Sequence, residues 1–205
     1  MSSFCLGTAN IGLDNYGVNN QLKADKTRAF EVLQAAYDCG VRWIDTAAAY
    51  GQAEEWIAEW APDDVRVVTK SKVYRHARIH PWTTLFHGDD LPTHWAYDWD
   101  GASVYTLAAG DKVAVEAGAV CTTPVLQVPL NVYQMGFWTS GIIQKALAND
   151  VTVFARSVFA QGYLLNRNYT IEACINAVRY LSADIIPVIG CDTPEQVNEI
   201  AEVFK

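Results

Sequence analysis

The chain has 205 residues, of which 51% are hydrophobic and 19% charged, and its formal net charge is −8 at pH 7. That length and hydrophobicity are enough to bury a sizeable core, which excludes a disordered chain. The negative charge opposes nucleic acid and anionic membranes as partners, and no apolar run approaches the roughly 20 residues of a bilayer span.

In chain order, short β-branched runs alternate with stretches of helical period. Phe4 to Thr8 reads as a first strand. Asp25 to Cys39 sets Ala29, Val32, Leu33, Ala36 and Tyr37 at helical spacing, with Gly40 where a helix should stop. Val41 to Ile44 is a second strand, and Gln52 to Trp60 a short helix ended by Pro62. Further strands are expected at Val65–Thr69, Thr83–Phe86, Ala102–Tyr105, Val125–Val128, Val151–Ala155 and Ile185–Ile189. Helices are expected at Ala108–Ala117, Ser140–Ala148, Thr170–Leu181 and Pro194–Phe204. The five cysteines (Cys5, Cys39, Cys121, Cys174 and Cys191) are scattered without a CxxC and read as reduced thiols. With no secretory signal visible at Met1–Cys5, a cytoplasmic protein is the expectation.

Eight strands alternating with helices predict a single α/β domain over residues 1–205, a (β/α)₈ barrel whose chemistry sits at the carboxyl ends of its strands. Two connections are poor in helical pattern. Lys70 to Trp82 contains Pro81, and Gly88 to Gly101 contains Pro92, so the third and fourth barrel helices are expected to be reduced or missing. An open doubly wound sheet is the alternative, but Gly7 to Gly12 lacks its GxGxxG turn.

Asp45, Tyr50, Lys70 and His87 fall at or just after the ends of the second, third and fourth strands. These four residue types suit protonation of a carbonyl oxygen while hydride arrives at its carbon. A phenol is a weak acid, with a pKa of about 10. A neighbouring ammonium lowers that value, a carboxylate holds the ammonium, and an imidazole orients the oxygen. Taken singly, an Asp after a strand is more often a turn residue and a loop Tyr more often packing.

The stretch from Gly40 to Gly51, GVRWIDTAAAYG, resembles the aldo-keto reductase signature. Val67–Lys70, Leu85–His87, Gln127–Asn131, Ala155–Gly162 and Ile189–Gln196 are similar to later motifs of that family, in the same order. The opening residues Leu6–Gly12 and Tyr16–Asn20 resemble a branch associated with bacterial sugar and polysaccharide pathways. The resemblance implies a nicotinamide-dependent carbonyl reductase with Tyr50 as general acid, Lys70 as its activator, Asp45 as the partner of Lys70 and His87 as the orienting group. A small carbonyl compound, which a sugar-derived one would satisfy, is the implied substrate. Implied cofactor contacts are Ser103 and Gln127 at the nicotinamide amide, with Val104 standing where the family has Asn. Arg156 takes the place of a stacking aromatic, which a planar guanidinium can imitate. Ser157 and Gly162 match the pyrophosphate loop, and Gly190, Cys191, Thr193 and Gln196 the adenosine-phosphate segment at a helix start. The cofactor implied is NADP(H), with NAD(H) also admitted, because the usual cationic clamp on a 2′-phosphate is replaced by Gly190, Cys191 and Gln196. Arg167 is one cation nearby in sequence.

Other readings stand beside this one. His76 and His80, with His87 and His94, have spacing compatible with zinc, but Pro81 denies them a shared helix and no metal is expected. Cys191 at a helix start is either a reactive thiol or a small packing residue. The aromatic residues from Tyr74 to Trp99 serve as packing or as a sugar-stacking surface. If they cover strands left bare by missing helices, they do so as a lid or across a homodimer contact. A binding barrel without turnover is the rival function.

Overall fold

The structure, a computed structural model, describes residues 4–18, 22–70, 125–148 and 150–205, and the backbone of 83–87 and 103–105. Eight strands close into a ring in sequence order. They are β1 (Cys5–Gly7), β2 (Trp43–Asp45), β3 (Arg66–Lys70), β4 (Thr83–His87), β5 (Ser103–Tyr105), β6 (Val125–Pro129), β7 (Thr152–Arg156) and β8 (Ile185–Gly190). Among the described residues the helices are α1 (Ala9–Gly12), α2 (Lys26–Asp38), α3 (Ala53–Trp60), α4 (Gly136–Thr139), α5 (Ile142–Leu147), α6 (Ile171–Arg179) and α7 (Pro194–Glu202). The eight strands fall within one or two residues of the positions expected from periodicity. The one-turn helices α1 and α4 were not legible that way, since a single turn carries no period.

Helix ends set where the strands begin. The Asp25 carboxylate accepts the Arg28 N–H at 2.8 Å and caps α2, which buries Ala29, Val32, Leu33 and Ala36 along one stripe. At the other end Gly40 takes φ +85°, and its N–H reaches the carbonyl of Tyr37 while that of Val41 reaches Ala36. This is a Schellman termination, and it turns the chain directly into β2. Thr170 and Thr193 cap α6 and α7 in the same manner as Asp25, each accepting an N–H three residues on.

The ring departs from the expected all-parallel barrel at one strand. β5 runs antiparallel to both β4 and β6, while every other neighbouring pair is parallel. A parallel crossover usually needs a helix, whereas an antiparallel return needs only a loop. The reversal has a local result: Ser103, the first residue of β5, pairs with both His87 and Gln127 near the carboxyl ends of β4 and β6. Had β5 been parallel, Tyr105 would stand there.

Side chains alternate across a strand, so residues two apart share a face. The Trp43 and Phe154 rings meet edge-on at 5.3 Å although β2 and β7 are not neighbours, so both point into the barrel. Asp45, two residues beyond Trp43, and Arg156, two beyond Phe154, therefore point inward one layer higher. The Arg66 guanidinium lies 5.0 Å from the Trp43 ring centre, and Val68 and Lys70 follow it on the same inner face. Helices cover the outside: Val197 and Ile200 of α7, Ile175 and Val178 of α6 and Ile57 of α3 are all buried in one cluster with the strands. No helix among the described residues is long and apolar enough to cross a membrane.

The expected reduction of the third and fourth helices, the helix at Ala108–Ala117, the aromatic stretch from Tyr74 to Trp99, and His76, His80 and His94 lie outside the described residues.

Candidate active site

Period two brings a carboxylate and an ammonium together at the carboxyl end of the barrel. Lys70 Nζ lies 2.6 Å from Asp45 Oδ1, with Asp45 4% and Lys70 5% exposed. Burial makes such a pair intolerant of losing either member, because the survivor is left as an uncompensated charge. A third residue completes it: Gln127 Nε2 donates to the same Asp45 oxygen at 2.8 Å from β6. The β2 backbone is pinned as well, since the Asp45 carbonyl accepts both the N–H and the hydroxyl of Thr8.

Tyr50 is placed by backbone contact. A Cβ on Gly12 would lie 2.2 Å from the Tyr50 carbonyl oxygen, and one on Gly51, at φ +56°, would lie 2.1 Å from that of Gly12. The glycine after the tyrosine is thus required both by its dihedral and by the close approach of α1. Thr69 donates to Glu54 Oε1 at 2.5 Å, tying the first turn of α3 to the strand that carries Lys70. The Lys70 ammonium lies 5.2 Å from the centre of the Tyr50 ring.

The Tyr50 phenol titrates well above its ordinary range, because burial and then the charges of Asp45 and Tyr16 disfavour the phenolate, while Arg156 opposes them. The sequence points to Lys70 as the cation that lowers this pKa. In the structure Arg156 on β7 is a cation that opposes the rise, alongside the Lys70 ammonium near the ring. Arg156 is itself held below its usual value by burial, and it donates to Ser157 Oγ at 3.3 Å.

A cavity of about 480 Å³ begins at Asp45, Tyr50, Lys70 and Gln127 and continues past Arg156, Ser157 and Gly162 to Gly190 and Gln196. Its far wall is shaped by backbone. Ser157, Ala160, Gln161 and Gly162 all have positive φ in the loop after β7, and such strain in non-glycine residues gathers at functional sites. Buried Asn131 holds this loop: its amide donates to the Ser157 carbonyl at 2.9 Å while its oxygen accepts the N–H groups of Tyr133 and Gln134. Gly190 meets Asn10 so closely that a Cβ would sit 2.0 Å from the Asn10 side-chain oxygen.

Nine of the expected site residues thus line one cavity. Two others do not: Cys191 is 1% exposed with its thiol pushed up by burial, and Thr193 is occupied in capping α7. Burial answers the reactive-thiol reading, since the thiolate is the nucleophile and burial disfavours it. For His87 and Ser103 the structure gives the backbone, in register with Gln127. Sequence reasoning missed Asn10, Tyr16, Gln161, Asp192 and Glu199, which also line the cavity. Tyr16 and Gln161 meet across 145 residues, the Gln161 amide donating to the phenol at 3.5 Å, and the Gln161 carbonyl accepts the Val18 N–H at 2.8 Å.

A long cavity with a buried, unsatisfied acceptor at its polar end fits a dinucleotide. That acceptor is Gln127 Oε1, which has no hydrogen-bond partner among the described residues. An unpaired buried carbonyl is costly unless a ligand amide or water meets it.

The profile described as "Aldo/keto reductase family" matches residues 3–91. An aryl-alcohol dehydrogenase from Pestalotiopsis microspora is 42% identical over 62 residues, 29% of this chain and 16% of that protein. An uncharacterized oxidoreductase of Bacillus subtilis is 31% identical over 84 residues, 36% of this chain and 23% of that one. The matches therefore span less than a quarter of each curated relative. Among solved structures, an aldo-keto reductase from Pseudomonas aeruginosa superimposes with TM-score 0.66 at 18% identity, over 99% of this chain and 91% of that one. One from Klebsiella pneumoniae, solved with NADP and acetate, gives TM-score 0.62 at 16% identity, over 99% and 86%. Residues 3–91 thus resemble the aldo-keto reductase family in sequence, and the chain shares the fold of aldo-keto reductases of known structure.

Proposed function

We propose that the protein is a nicotinamide-dependent oxidoreductase that reduces the carbonyl group of a small aldehyde or ketone, with Tyr50 as the proton donor. The observation that carries this reading is the buried Asp45–Lys70–Gln127 cluster, set beside Tyr50 at the head of a cavity of about 480 Å³ that continues to Gly190 and Gln196. The NADP-bound relative from Klebsiella pneumoniae supports the cofactor.

Gln127 Oε1 would accept the nicotinamide amide, Arg156 would lie against the ring, and Ser157, Gly162 and Gly190 would line the phosphate path. When bound, the cofactor supplies hydride to the carbonyl carbon. The protein's own part is the proton. Tyr50 donates from its hydroxyl to the carbonyl oxygen, and the resulting phenolate is stabilised by the Arg156 guanidinium and the Lys70 ammonium. Asp45 holds Lys70 in place, and Gln127 holds Asp45. Solvent has little access, because the Lys70, Asp45 and Gln127 side chains are buried. His87, on the strand beside Ser103, would orient the carbonyl.

The test separates binding from turnover. Dinucleotide dissociation constants are measured by calorimetry, and turnover is followed over a panel of aldehydes. Binding together with turnover that falls at least about 100-fold in Tyr50→Phe, the scale of positioned acid–base catalysis, supports the enzyme. Binding without turnover on any member of the panel would instead identify a binding barrel.

A further inference from the structure

Gln127 stands where the acid–base cluster meets the cavity. Its side chain is fully buried, and Nε2 donates at 2.8 Å to Asp45 Oδ1, the oxygen that also takes the Lys70 ammonium at 2.6 Å. The bond fixes more than position. A primary amide has a donor end and an acceptor end, and a half-turn about its last bond exchanges them, whereas an ionised carboxylate only accepts. Asp45 is held as the charged partner of Lys70. The turned amide would therefore set Oε1 against a carboxylate oxygen, losing a charge-assisted hydrogen bond and bringing two buried acceptors together. The donor end is committed to Asp45. The acceptor end, Oε1, is left without a partner among the described residues, and Gln127 lines the cavity.

Building on the dinucleotide reading, we infer that the Asp45 charge locks Gln127 as an acceptor, so that the site selects a pyridine ring whose substituent donates a hydrogen bond. Asp45 is then a positioning residue for recognition as well as the partner of Lys70, and it acts on the ligand only through Gln127. An amide free to turn would present whichever end suited the group it met. It would take a carboxamide, a methyl ketone or a carboxylate with little preference. A locked amide does not adapt. A methyl ketone in place of the carboxamide leaves Oε1 buried and unpaired, and a carboxylate adds repulsion from Oε1 and from the Asp45 charge behind it. A buried polar group that loses its partner in this way discriminates strongly between otherwise similar ligands. One carboxylate oxygen thus ties the ammonium beside Tyr50 to the choice of ring.

The whole chain is titrated by calorimetry with NADP⁺, its 3-acetylpyridine analogue and its nicotinic acid analogue, three probes that differ only at the ring substituent. NADP⁺ is expected to bind at least about tenfold more tightly than either, equivalent to about 1.4 kcal/mol, with the nicotinic acid form the weakest. Gln127→Met keeps the side-chain length and the Asp45–Lys70 pair, and should bring NADP⁺ to within about threefold of the acetylpyridine analogue. Asp45→Asn combined with Lys70→Met removes both charges together, so neither is left uncompensated. The amide introduced at position 45 can donate to Gln127 Oε1, which frees Gln127 to turn its N–H to the cavity. The nicotinic acid form should then gain at least about tenfold relative to NADP⁺. A merely structural role for Asp45 would weaken all three probes alike. Should the double variant not fold, the unaltered chain and Gln127→Met still decide, because an amide that Asp45 does not hold would turn and show no preference. Equal binding of the three probes to the unaltered chain, or a preference that either variant leaves intact, overturns the inference and leaves the dinucleotide reading standing. Failure of NADP⁺ to bind at millimolar concentration overturns the two together.

Discussion

The two walls of the cavity are built on different principles. The wall made by β2, β3 and β6 is a set of charged and amide side chains locked to one another by buried hydrogen bonds at 2.6 and 2.8 Å. The wall made by the loops after β7 and β8 is mostly backbone, held in left-handed conformations and by close glycine contacts. The first is organised for charge, the second for shape. Substitutions on the first should therefore strike the chemical step, and those on the second should strike binding.

Changes at the charged wall are expected to have the largest effects. Tyr50→Phe should lower the chemical step at least about 100-fold without altering the melting temperature much. Lys70→Met should match that loss and also remove about 3 kcal/mol of stability, because Asp45 keeps its buried charge without an ionic partner. Single-turnover kinetics and denaturant titration measure the two effects separately. Lys70→Met without loss of stability would break the contrast at its strongest point.

Gly12→Ala tests a place where the two principles meet. The added methyl collides with the Tyr50 carbonyl, and overpacking of this kind costs roughly 1–3 kcal/mol. Turnover should fall more than dinucleotide affinity does, since the displaced residue is the proposed proton donor. On the loop wall, Asn131→Ala removes the clamp on Ser157 and strands buried N–H groups, at roughly 1–3 kcal/mol. There the dissociation constant for the dinucleotide should rise more than the turnover number falls.

The pH profile gives a subtler reading. Burial, Asp45 and Tyr16 raise the Tyr50 pKa, so the protonated donor persists beyond the ordinary phenol value of about 10. Reduction should stay level through neutral pH and decline only in strong alkali. Arg156→Met removes the cation that favours the phenolate, so it should push that decline still higher. A decline at lower pH in this variant would contradict the assigned sign. The smallest effect is in thiol labelling: half-buried Cys39 should be alkylated before Cys5 and Cys191, whose thiols burial holds high.

Much of the charged wall was legible in the sequence, and less of the loop wall. Asp45, Lys70 and Arg156 each close a β-branched or apolar run and Gln127 interrupts one, and period two is enough to place such residues on one inner face. Gly40 announced a helix stop through its residue type. Strand direction was not legible, because alternation reads the same forwards and backwards, and so the reversal of β5 went unseen. Asn10 and Asp192 meet across 182 residues, and no local pattern marks that contact. The capping role of Thr193 was available from its place before Pro194, but the family likeness drew attention to the ligand instead.

The ring closes where Leu6 of β1 pairs with Ile189 of β8, two residues separated by nearly the whole chain. During synthesis β1 must wait, with one edge unpaired, until β8 has left the ribosome. Pairings of such long range slow folding, and an open strand edge in the interval invites association with other chains. Yield in cells should therefore depend on how quickly β8 follows, and chaperone demand should concentrate on the strands of the nascent barrel made before it.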